Sequence, residues 1–309
     1  MDIKVDFIAE IDRMRKAKNA VILAHYYQIA AIQDIADCVG DSLALAQWAA
    51  GTTADIIVLC GVHFMGETAK LLSPEKKVLV PDMEAGCSLA DSCPADAFEK
   101  FIRSHPGYQV ISYVNTTAAV KALTDVVVTS TNARKIVDSF PKDAPLIFGP
   151  DRNLGNYLNS ITGRRMLLWD GACHVHEQFS LEKILALKKS YPDAEVIAHP
   201  ECKQPILTIA DFIGSTAALL SYTAQSPKTE FIVTTESGVI HEMRKRSPQK
   251  TFIPAPPNDS TCACNECSFM RLNTIEKLYL CLRDEQPEIS IDPTIRERAV
   301  KPILRMLEF

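Results

Sequence analysis

The chain has 309 residues, of which 47% are apolar and 23% are charged, with 12 glycines and 18 prolines. This composition is typical of a folded globular protein and excludes disordered and collagen-like chains. The net charge of −5 gives no broad basic surface, so we expect small-molecule partners and no nucleic acid.

The N-terminal residues 3–17 combine charged and apolar residues at helical spacing and predict an amphipathic helix. They lack the apolar core of a signal peptide. No stretch of the chain reaches the ~20 consecutive apolar residues of a membrane span. The sequence therefore predicts a cytoplasmic location and no membrane association.

Three later segments align without gaps, at 22–43, 110–131 and 196–217, and they begin 88 and then 86 residues apart. Each opens with a short apolar run and passes through a polar tripeptide into a stretch of helical period that ends near an aspartate. A second apolar run then reaches a hydroxyl residue. The pattern predicts a strand, a turn, a helix and a strand in each copy.

Four columns of this alignment are polar in all three copies. They contain His25, Tyr113 and His199; Tyr27, Asn115 and Glu201; Asp37, Asp125 and Asp211; and Ser42, Ser130 and Thr216. Strands and helices alternate in any α/β protein, but coincidence does not produce polar residues in register. The first, second and fourth columns follow predicted strands, where open parallel sheets bind their ligands.

The second half of each copy contains another apolar strand, a helical segment, a short strand and then a cysteine. That cysteine is Cys87, then Cys173, and then one of Cys262, Cys264 or Cys267. We therefore predict an α/β fold with three homologous three-layer αβα domains, whose short parallel sheets surround a pseudo-three-fold axis. The predicted domains span 1–88, 89–175 and 176–271, and a helical tail at 272–309 is expected to pack on the first.

The ten cysteines are not expected to form disulfides in a chain without an export signal, because the cytosol keeps thiols reduced. One cysteine per domain would converge on the axis and leave a coordination position open. Thiolates hold zinc or iron–sulfur clusters, and structural zinc modules draw their ligands from close pairs. The wide spacing therefore favours a catalytic site, and the all-cysteine set favours a four-iron cluster with one exposed iron, which could act as a Lewis acid.

The polar columns would place histidines, tyrosines, a glutamate, an asparagine and hydroxyl residues in the same cavity. Such groups bind carboxylate or phosphate oxygens and exchange protons near neutral pH. A single residue of these types is more often structural, and only the joint alignment indicates a site. A zinc-dependent aldolase or hydrolase and a non-catalytic iron–sulfur sensor or scaffold are the alternative functions.

Several runs occur in a characteristic order: LAHYYQ with GDSLALA, GVHFMGETAK, VPDMEAGC, YVNTTAAVKALTD with VTSTNA, FGPDRNLG, CHVH, and IAHPEC with STAALL. Over nearly the whole chain they closely resemble the quinolinate synthase family of bacterial NAD biosynthesis. The resemblance implies three αβα domains and one 4Fe–4S cluster per chain, held by three cysteines. It also implies a condensing enzyme of the transferase class, which joins iminoaspartate (iminosuccinate) and dihydroxyacetone phosphate to give quinolinate, phosphate and water.

The resemblance places the cluster ligands at Cys87, Cys173 and Cys267. Repeat spacing alone slightly favours Cys262, which follows Cys173 by 89 residues, whereas Cys267 follows it by 94. The run FMRLNTIEKLY after Cys267 resembles the run after the third ligand in the family. Longer family members read C-x-x-C-x-x-C here, so the departure leaves Cys262 and Cys264 as either a redox-sensitive pair or inert thiols.

The resemblance also assigns roles to other residues. Proton transfer is expected from Tyr27 and Glu201, and Tyr113 and His199 are also implied as catalytic residues. Phe64 and Met65 match family positions near the cavity. The implied partners are the two substrates and, transiently, L-aspartate oxidase. The implied substrate-binding residues are His25, Ser42, Tyr113, Asn115, Ser130, His176, His199, Glu201, Ser215 and Thr216.

Overall fold

A computed structural model of the chain describes residues 6–259 and 265–309. In that part of the chain, twelve strands form three four-stranded sheets, and every pairing between neighbouring strands is parallel. The prediction of an α/β fold with three short parallel sheets is confirmed. We refer to the three sheets with their helices as the first, second and third unit.

The elements follow one another in the same order in each unit. The first unit contains α1 (Phe7–Ala17), β1 (Ala20–His25), α2 (Ala30–Ile35), β2 (Cys38–Gly40), α3 (Ser42–Gly51), β3 (Ile56–Cys60), α4 (His63–Leu72), β4 (Lys77–Leu79) and α5 (Ser88–Asp91). The second contains α6 (Ala95–Arg103), β5 (Gln109–Tyr113), α7 (Ala118–Lys121), β6 (Val126–Val128), α8 (Ala133–Asp138), β7 (Leu146–Gly149), α9 (Arg152–Thr162), β8 (Leu167–Leu168) and α10 (His174–Glu177).

The third unit and the tail complete the chain. The third unit contains α11 (Leu181–Ser190), β9 (Glu195–Ala198), α12 (Gln204–Ile209), β10 (Phe212–Ile213), α13 (Thr216–Gln225), β11 (Glu230–Thr234), α14 (Val239–Arg246) and β12 (Thr251–Pro254). The tail contains a 3-10 helix (Met270–Leu272), α15 (Ile275–Asp284) and α16 (Pro293–Leu307). The strand orders are β2-β1-β3-β4, β6-β5-β7-β8 and β10-β9-β11-β12. All three sheets therefore share one topology.

Each sheet is buried on both faces, as parallel sheets generally are. In the first unit, Ile22 and Val58 belong to an apolar cluster with residues of α1 and α15. The neighbouring residues Leu23 and Ile57 belong to another cluster, with residues of α3 and α4. Successive strand residues point to opposite faces, so this division places helices above and below the sheet.

The aspartate column has a structural role in every unit. Each aspartate carboxylate accepts the backbone N–H of the residue that opens the aligned segment, 15 positions earlier. Its own backbone N–H donates to the carbonyl of that same residue. The pairs are Asp37 with Ile22, Asp125 with Val110 and Asp211 with Val196, with N–H to carboxylate distances of 2.8, 2.7 and 2.8 Å.

The tail contacts two units. Helix α15 packs against α1 of the first unit. Helix α16 packs against α7 and β6 of the second unit and also contacts α4 of the first. Its residues Ala299, Ile303 and Met306 are fully buried in the largest apolar cluster, which joins the first two units. Within the described residues, no helix is both long and apolar enough to cross a membrane.

Candidate active site

One cavity of about 70 Å³ lies where the three units meet, and all three contribute to its lining. The first strands β1 and β5 end at cavity residues His25 and Tyr113, and His199 directly follows β9. The cavity is therefore built at the carboxyl ends of the central strands. The predicted site residues in its lining are His25, Tyr27, Ser42, Phe64, Met65, Tyr113, Asn115, Ser130, His176, His199, Glu201 and Thr216, with Cys87, Cys173 and Cys267.

Two histidines of the repeat present the same ring nitrogen to the cavity. Nδ1 of His25 accepts the backbone N–H of Tyr27 at 3.2 Å, and Nδ1 of His199 accepts that of Glu201 at 3.4 Å. Burial lowers the pKa of His25 to about 4 and that of His199 to about 3. Both imidazoles are therefore neutral at physiological pH, with the proton on Nε2, and can donate a hydrogen bond.

Glu201 lies at the centre of the polar groups. The Tyr113 hydroxyl donates to Oε1 at 2.7 Å, while Nδ1 of His199 lies 3.7 Å from the same oxygen. Nδ1 of His176 lies 3.1 Å from Oε2, close enough for an ion pair but outside the geometry of a directed hydrogen bond. Burial opposes ionisation of Glu201, but the neighbouring His176 and the bond from Tyr113 lower its pKa. Glu201 is therefore a buried carboxylate.

Tyr27 carries a protonated phenol on the opposite side of this network. Its hydroxyl lies 2.9 Å from the hydroxyl of Thr216 and 2.9 Å from that of Thr235. Nε2 of His176 lies 3.0 Å from the Thr235 hydroxyl, which connects the phenol to the Glu201 group. Burial and the charge of Glu201 raise the pKa of Tyr27 well above its usual value, so the phenol can donate a proton or a hydrogen bond.

Two ten-residue helices begin at the cavity. Ser42 is the first residue of α3 and Thr216 the first residue of α13. A helix N-terminus carries partial positive charge and free backbone N–H groups, which favour bound anions. Ser215, by contrast, is absent from the lining because its hydroxyl caps α13, accepting the Ala218 N–H at 3.2 Å. The arrangement can hold a carboxylate or a phosphate.

Each of the three cavity cysteines lies just before a short helix, and that helix follows the last strand of a unit. Cys87 precedes α5, Cys173 precedes α10, and Cys267 lies three residues before the 3-10 helix. A hydrogen bond of 2.6 Å joins Ser88 Oγ to Nδ1 of His174, which links the first two cysteine loops. The other candidates for the third position, Cys262 and Cys264, lie outside the described residues.

Two buried carboxylates hold the cysteine loops of the second and third units. Asp151 accepts the Cys173 backbone N–H at 2.9 Å, and Glu236 accepts that of Cys267 at 3.2 Å. Burial raises the pKa of Asp151 to about 7. Burial also raises the pKa of Glu236 to about 7, although the Arg271 guanidinium acts on Glu236 in the opposite direction. Each carboxylate lies two residues beyond the second central strand of its unit.

Asp151, Glu236 and Thr235 were not predicted from the sequence. The runs FGPD and VTTE do carry a signal, because both place a carboxylate just beyond an apolar strand. The first unit has Val62 at the corresponding place, so this position is not a three-fold polar column and the alignment did not reveal it.

The donor set suits a metal group with sulfur ligands. Burial raises the pKa of Cys87 to about 12 and also raises the pKa values of Cys173 and Cys267. These thiols therefore keep their protons until a metal binds. A bound soft cation would displace the protons, since metals bind thiolates. The ligand atoms of Cys173, His176 and Glu201 lie within 4.8 Å of one another, so the metal would border the polar network.

Comparisons with known proteins find matches over nearly the whole chain. A family model described as quinolinate synthetase A protein matches residues 9–308. The quinolinate synthase of Synechococcus sp. is 60% identical over 306 residues, covering 99% of this chain and 96% of the relative. That of Thermosynechococcus vestitus is 60% identical over 304 residues, covering 98% and 95%. That of Chloroherpeton thalassium is 58% identical over 305 residues, covering 99% and 95%.

Proposed function

The chain belongs to the quinolinate synthetase A protein family, whose members are enzymes of NAD biosynthesis, and we propose that it condenses iminoaspartate with dihydroxyacetone phosphate. The products are quinolinate, phosphate and water. The observation that carries this proposal is the single buried cavity that combines three thiols, a carboxylate network and two helix N-termini.

The anionic ends of both substrates match the binding groups of the cavity. Ser42 and Thr216, at the N-termini of α3 and α13, would hold carboxylate and phosphate oxygens. The neutral His25 would donate Nε2–H to a substrate oxygen. Nε2 of His199 lies 3.2 Å from the Ser130 hydroxyl, so these two residues would bind the substrate together. Asn115 and Ser130 supply further hydrogen bonds from the second unit. A substrate held by fixed donors reacts faster because its orientation is already set.

The proton transfers of the reaction are assigned to the Glu201 network. Glu201, ionised and bonded to Tyr113, would accept a proton from a substrate carbon or nitrogen. Tyr27, whose phenol remains protonated, would deliver a proton to a leaving hydroxyl. The burial of these groups excludes bulk water, so the protons stay within the site.

The cofactor proposed for this site is a 4Fe–4S cluster held by Cys87, Cys173 and Cys267. When bound, it supplies a Lewis-acidic iron that polarises a substrate oxygen and assists loss of water. The chain's own contribution is to hold the loops of Cys173 and Cys267 through Asp151 and Glu236. The Cys87 loop is joined to the Cys173 loop by the hydrogen bond between Ser88 and His174. A transient contact with L-aspartate oxidase as the source of iminoaspartate, and a cytoplasmic location, remain predictions of the sequence.

The test is anaerobic reconstitution with iron and sulfide, followed by an assay for quinolinate from the two substrates. We expect about four irons with sulfide per chain, and one zinc would favour the zinc enzyme instead. Cys87→Ala, Cys173→Ala and Cys267→Ala should each lose the visible absorption of the cluster and quinolinate formation together. Cys38→Ala is the matched control, because Cys38 is half-buried in β2, is not part of the cavity lining, and should keep both.

A cluster-loaded protein that binds these compounds without turnover would instead be a sensor, and the proposed reaction would be wrong. Retention of both absorption and activity in one cysteine variant would remove that cysteine from the proposed ligand set.

A further inference from the structure

A buried lysine lies beneath the cavity wall and has no part in the reaction proposed above. Lys121, at the end of α7, has 0% of its surface exposed. Its ammonium lies 5.4 Å from the ring centre of Phe64, which lines the cavity. Burial lowers the pKa of Lys121 to about 8. Burying an ammonium is costly, so its placement here requires partners that repay the lost hydration.

Those partners are two backbone carbonyls on either side of a cavity residue. The ammonium donates to the Val114 carbonyl at 2.8 Å and also to the Thr116 carbonyl. Between these two carbonyls lies Asn115, whose side chain lines the cavity. Lys121 therefore holds the backbone of the loop that presents Asn115.

The first unit contains the same arrangement with a different residue. Gln33 precedes Lys121 by 88 positions, the offset of the repeat. Its Nε2 donates to the Tyr26 carbonyl at 3.0 Å and to the Gln28 carbonyl at 2.7 Å, the two carbonyls that flank Tyr27. It also contacts the Gly238 carbonyl of the third unit at 3.0 Å. Gln33 is also buried. Donors of different chemistry thus bind equivalent carbonyls in two units.

The third unit lacks this donor. The position equivalent to Lys121 is occupied by Leu207, a buried apolar residue. The loop that carries Glu201 is held instead from the second unit, by Asn153, whose Nδ2 donates to the Glu201 carbonyl at 3.0 Å. An apolar residue is thus compatible with the fold at this position. The donors in the other two units therefore serve the loops beside them.

We infer that Lys121 and Gln33 are positioning residues, which fix the cavity residues Asn115 and Tyr27 by binding the carbonyls on either side of each. The hydrogen bonds, and not the charge, carry this role, because neutral Gln33 makes the same pair of contacts as Lys121. The inference rests on the proposed function for its kinetic readout only.

The test compares Lys121→Met, which removes the donor but keeps the length of the chain, with Lys121→Gln, which copies the first unit. We expect Lys121→Met to lower kcat/KM by about 10- to 100-fold, mainly through a higher KM because Asn115 is a binding residue. Its cluster absorption should match that of the wild type. Lys121→Gln should restore kcat/KM to near the wild-type value. Equal impairment in both variants would show that the charge matters, and would overturn the inference.

Lys250 offers a matched control. Its ammonium donates to the carbonyls of Thr223 and Ser226, both at 2.6 Å, and lies 5.6 Å from the ring centre of Phe231. These contacts copy those of Lys121 but lie away from the cavity lining. Lys250→Met should lower the melting temperature and leave KM unchanged. If KM rose equally in Lys250→Met and Lys121→Met, both changes would act through general destabilisation, and the inference would be overturned.

Hydrogen exchange of backbone amides tests the inference without any turnover. Lys121→Met should speed exchange at 114–117, and Gln33→Met should speed it at 26–29, each leaving the other loop unchanged. Unchanged or uniformly faster exchange would overturn the inference. If Lys121→Met does not fold, Gln33→Met decides, and a wild-type KM and exchange pattern in that variant would overturn it. A wild-type protein that forms no quinolinate would refute the proposed function alone.

Discussion

The loop at 114–116 in the second unit and the loop at 200–202 in the third occupy equivalent places but are fastened differently. The first is held from within its own unit by Lys121. The second is held across a unit boundary by Asn153 of α9. A shared topology therefore does not imply shared anchors. The loop that carries Glu201, the most interconnected polar residue of the cavity, depends on how two units dock.

The largest expected effect comes from neutralising Glu201 on the third-unit loop, whose carboxylate accepts the Tyr113 hydroxyl at 2.7 Å. Glu201→Gln should reduce quinolinate formation by about 10³-fold, because it removes the buried base while keeping the shape of the side chain. Tyr113→Phe should cost less, since it removes one donor to that carboxylate. The measurement is kcat and kcat/KM in cluster-loaded protein, with the visible absorption unchanged.

Tyr222→Phe is the matched control for that comparison. Its hydroxyl donates to Glu195 at 2.7 Å, the same distance as in the Tyr113 pair, but neither residue lines the cavity. The variant should keep wild-type kinetics. Wild-type turnover in Glu201→Gln would exclude the proton-transfer role of Glu201.

A smaller effect is expected where the third-unit loop is tied to the second unit. Asn153→Ala removes the bond to the Glu201 carbonyl and should lower kcat about tenfold by displacing that carboxylate. Asn159→Ala on the same helix is the control, because Asn159 binds only the backbone of Met166 in the second unit. Steady-state kinetics of the two variants, normalised to cluster content, provide the measurement. Equal kcat in the two variants would contradict the proposed anchoring across units.

The smallest effect concerns pH, since the third unit has His199 where the second has Tyr113. The folded pKa of His199, about 3, lies below the unfolded value of 6.5. Between pH 3 and pH 6.5 the unfolded chain therefore binds a proton at His199 that the folded chain does not bind. The contribution of His199 to the free energy of unfolding is complete above pH 6.5 and decreases as the pH is lowered. Urea unfolding of the apoprotein from pH 4 to 6.5 should show a steeper slope in wild type than in His199→Gln, by up to about 1.4 kcal/mol per pH unit.

Asp151 and Glu236 change the free energy of unfolding with pH in the direction opposite to His199. The raised pKa values of Asp151 and Glu236, about 7, mean that their contribution falls as the pH rises towards 7. Both residues are present in wild type and variant, so the difference between the two slopes isolates His199. Tyr113→Phe should leave the slope unchanged, and identical slopes for wild type and His199→Gln would contradict the burial of a neutral imidazole.

The repeat alone predicted the parallel sheets and the nine cavity residues of the first, second and fourth polar columns, whereas His176 and the choice of Cys267 came from the family resemblance. The positions of the columns separated the aspartates from the three columns that follow strands, but they did not show that each aspartate binds the backbone of its own unit. The choice between Ser215 and Thr216 likewise required knowing which hydroxyl caps α13. The equivalence of Gln33 and Lys121 was missed, because it lies in the donated hydrogen bonds and not in residue type.

The paired hydrogen bonds of the aspartate column also bear on how the chain folds. In each unit, the two hydrogen-bonded residues are only 15 positions apart, and the segment between them contains most of a strand, a helix and the approach to the next strand. Short closures lose little chain entropy and form quickly. Three such nuclei can therefore mature separately along the polypeptide, and the long-range step is their later docking. Kinetic phases that report the cavity should accordingly be slower than those that report the sheets.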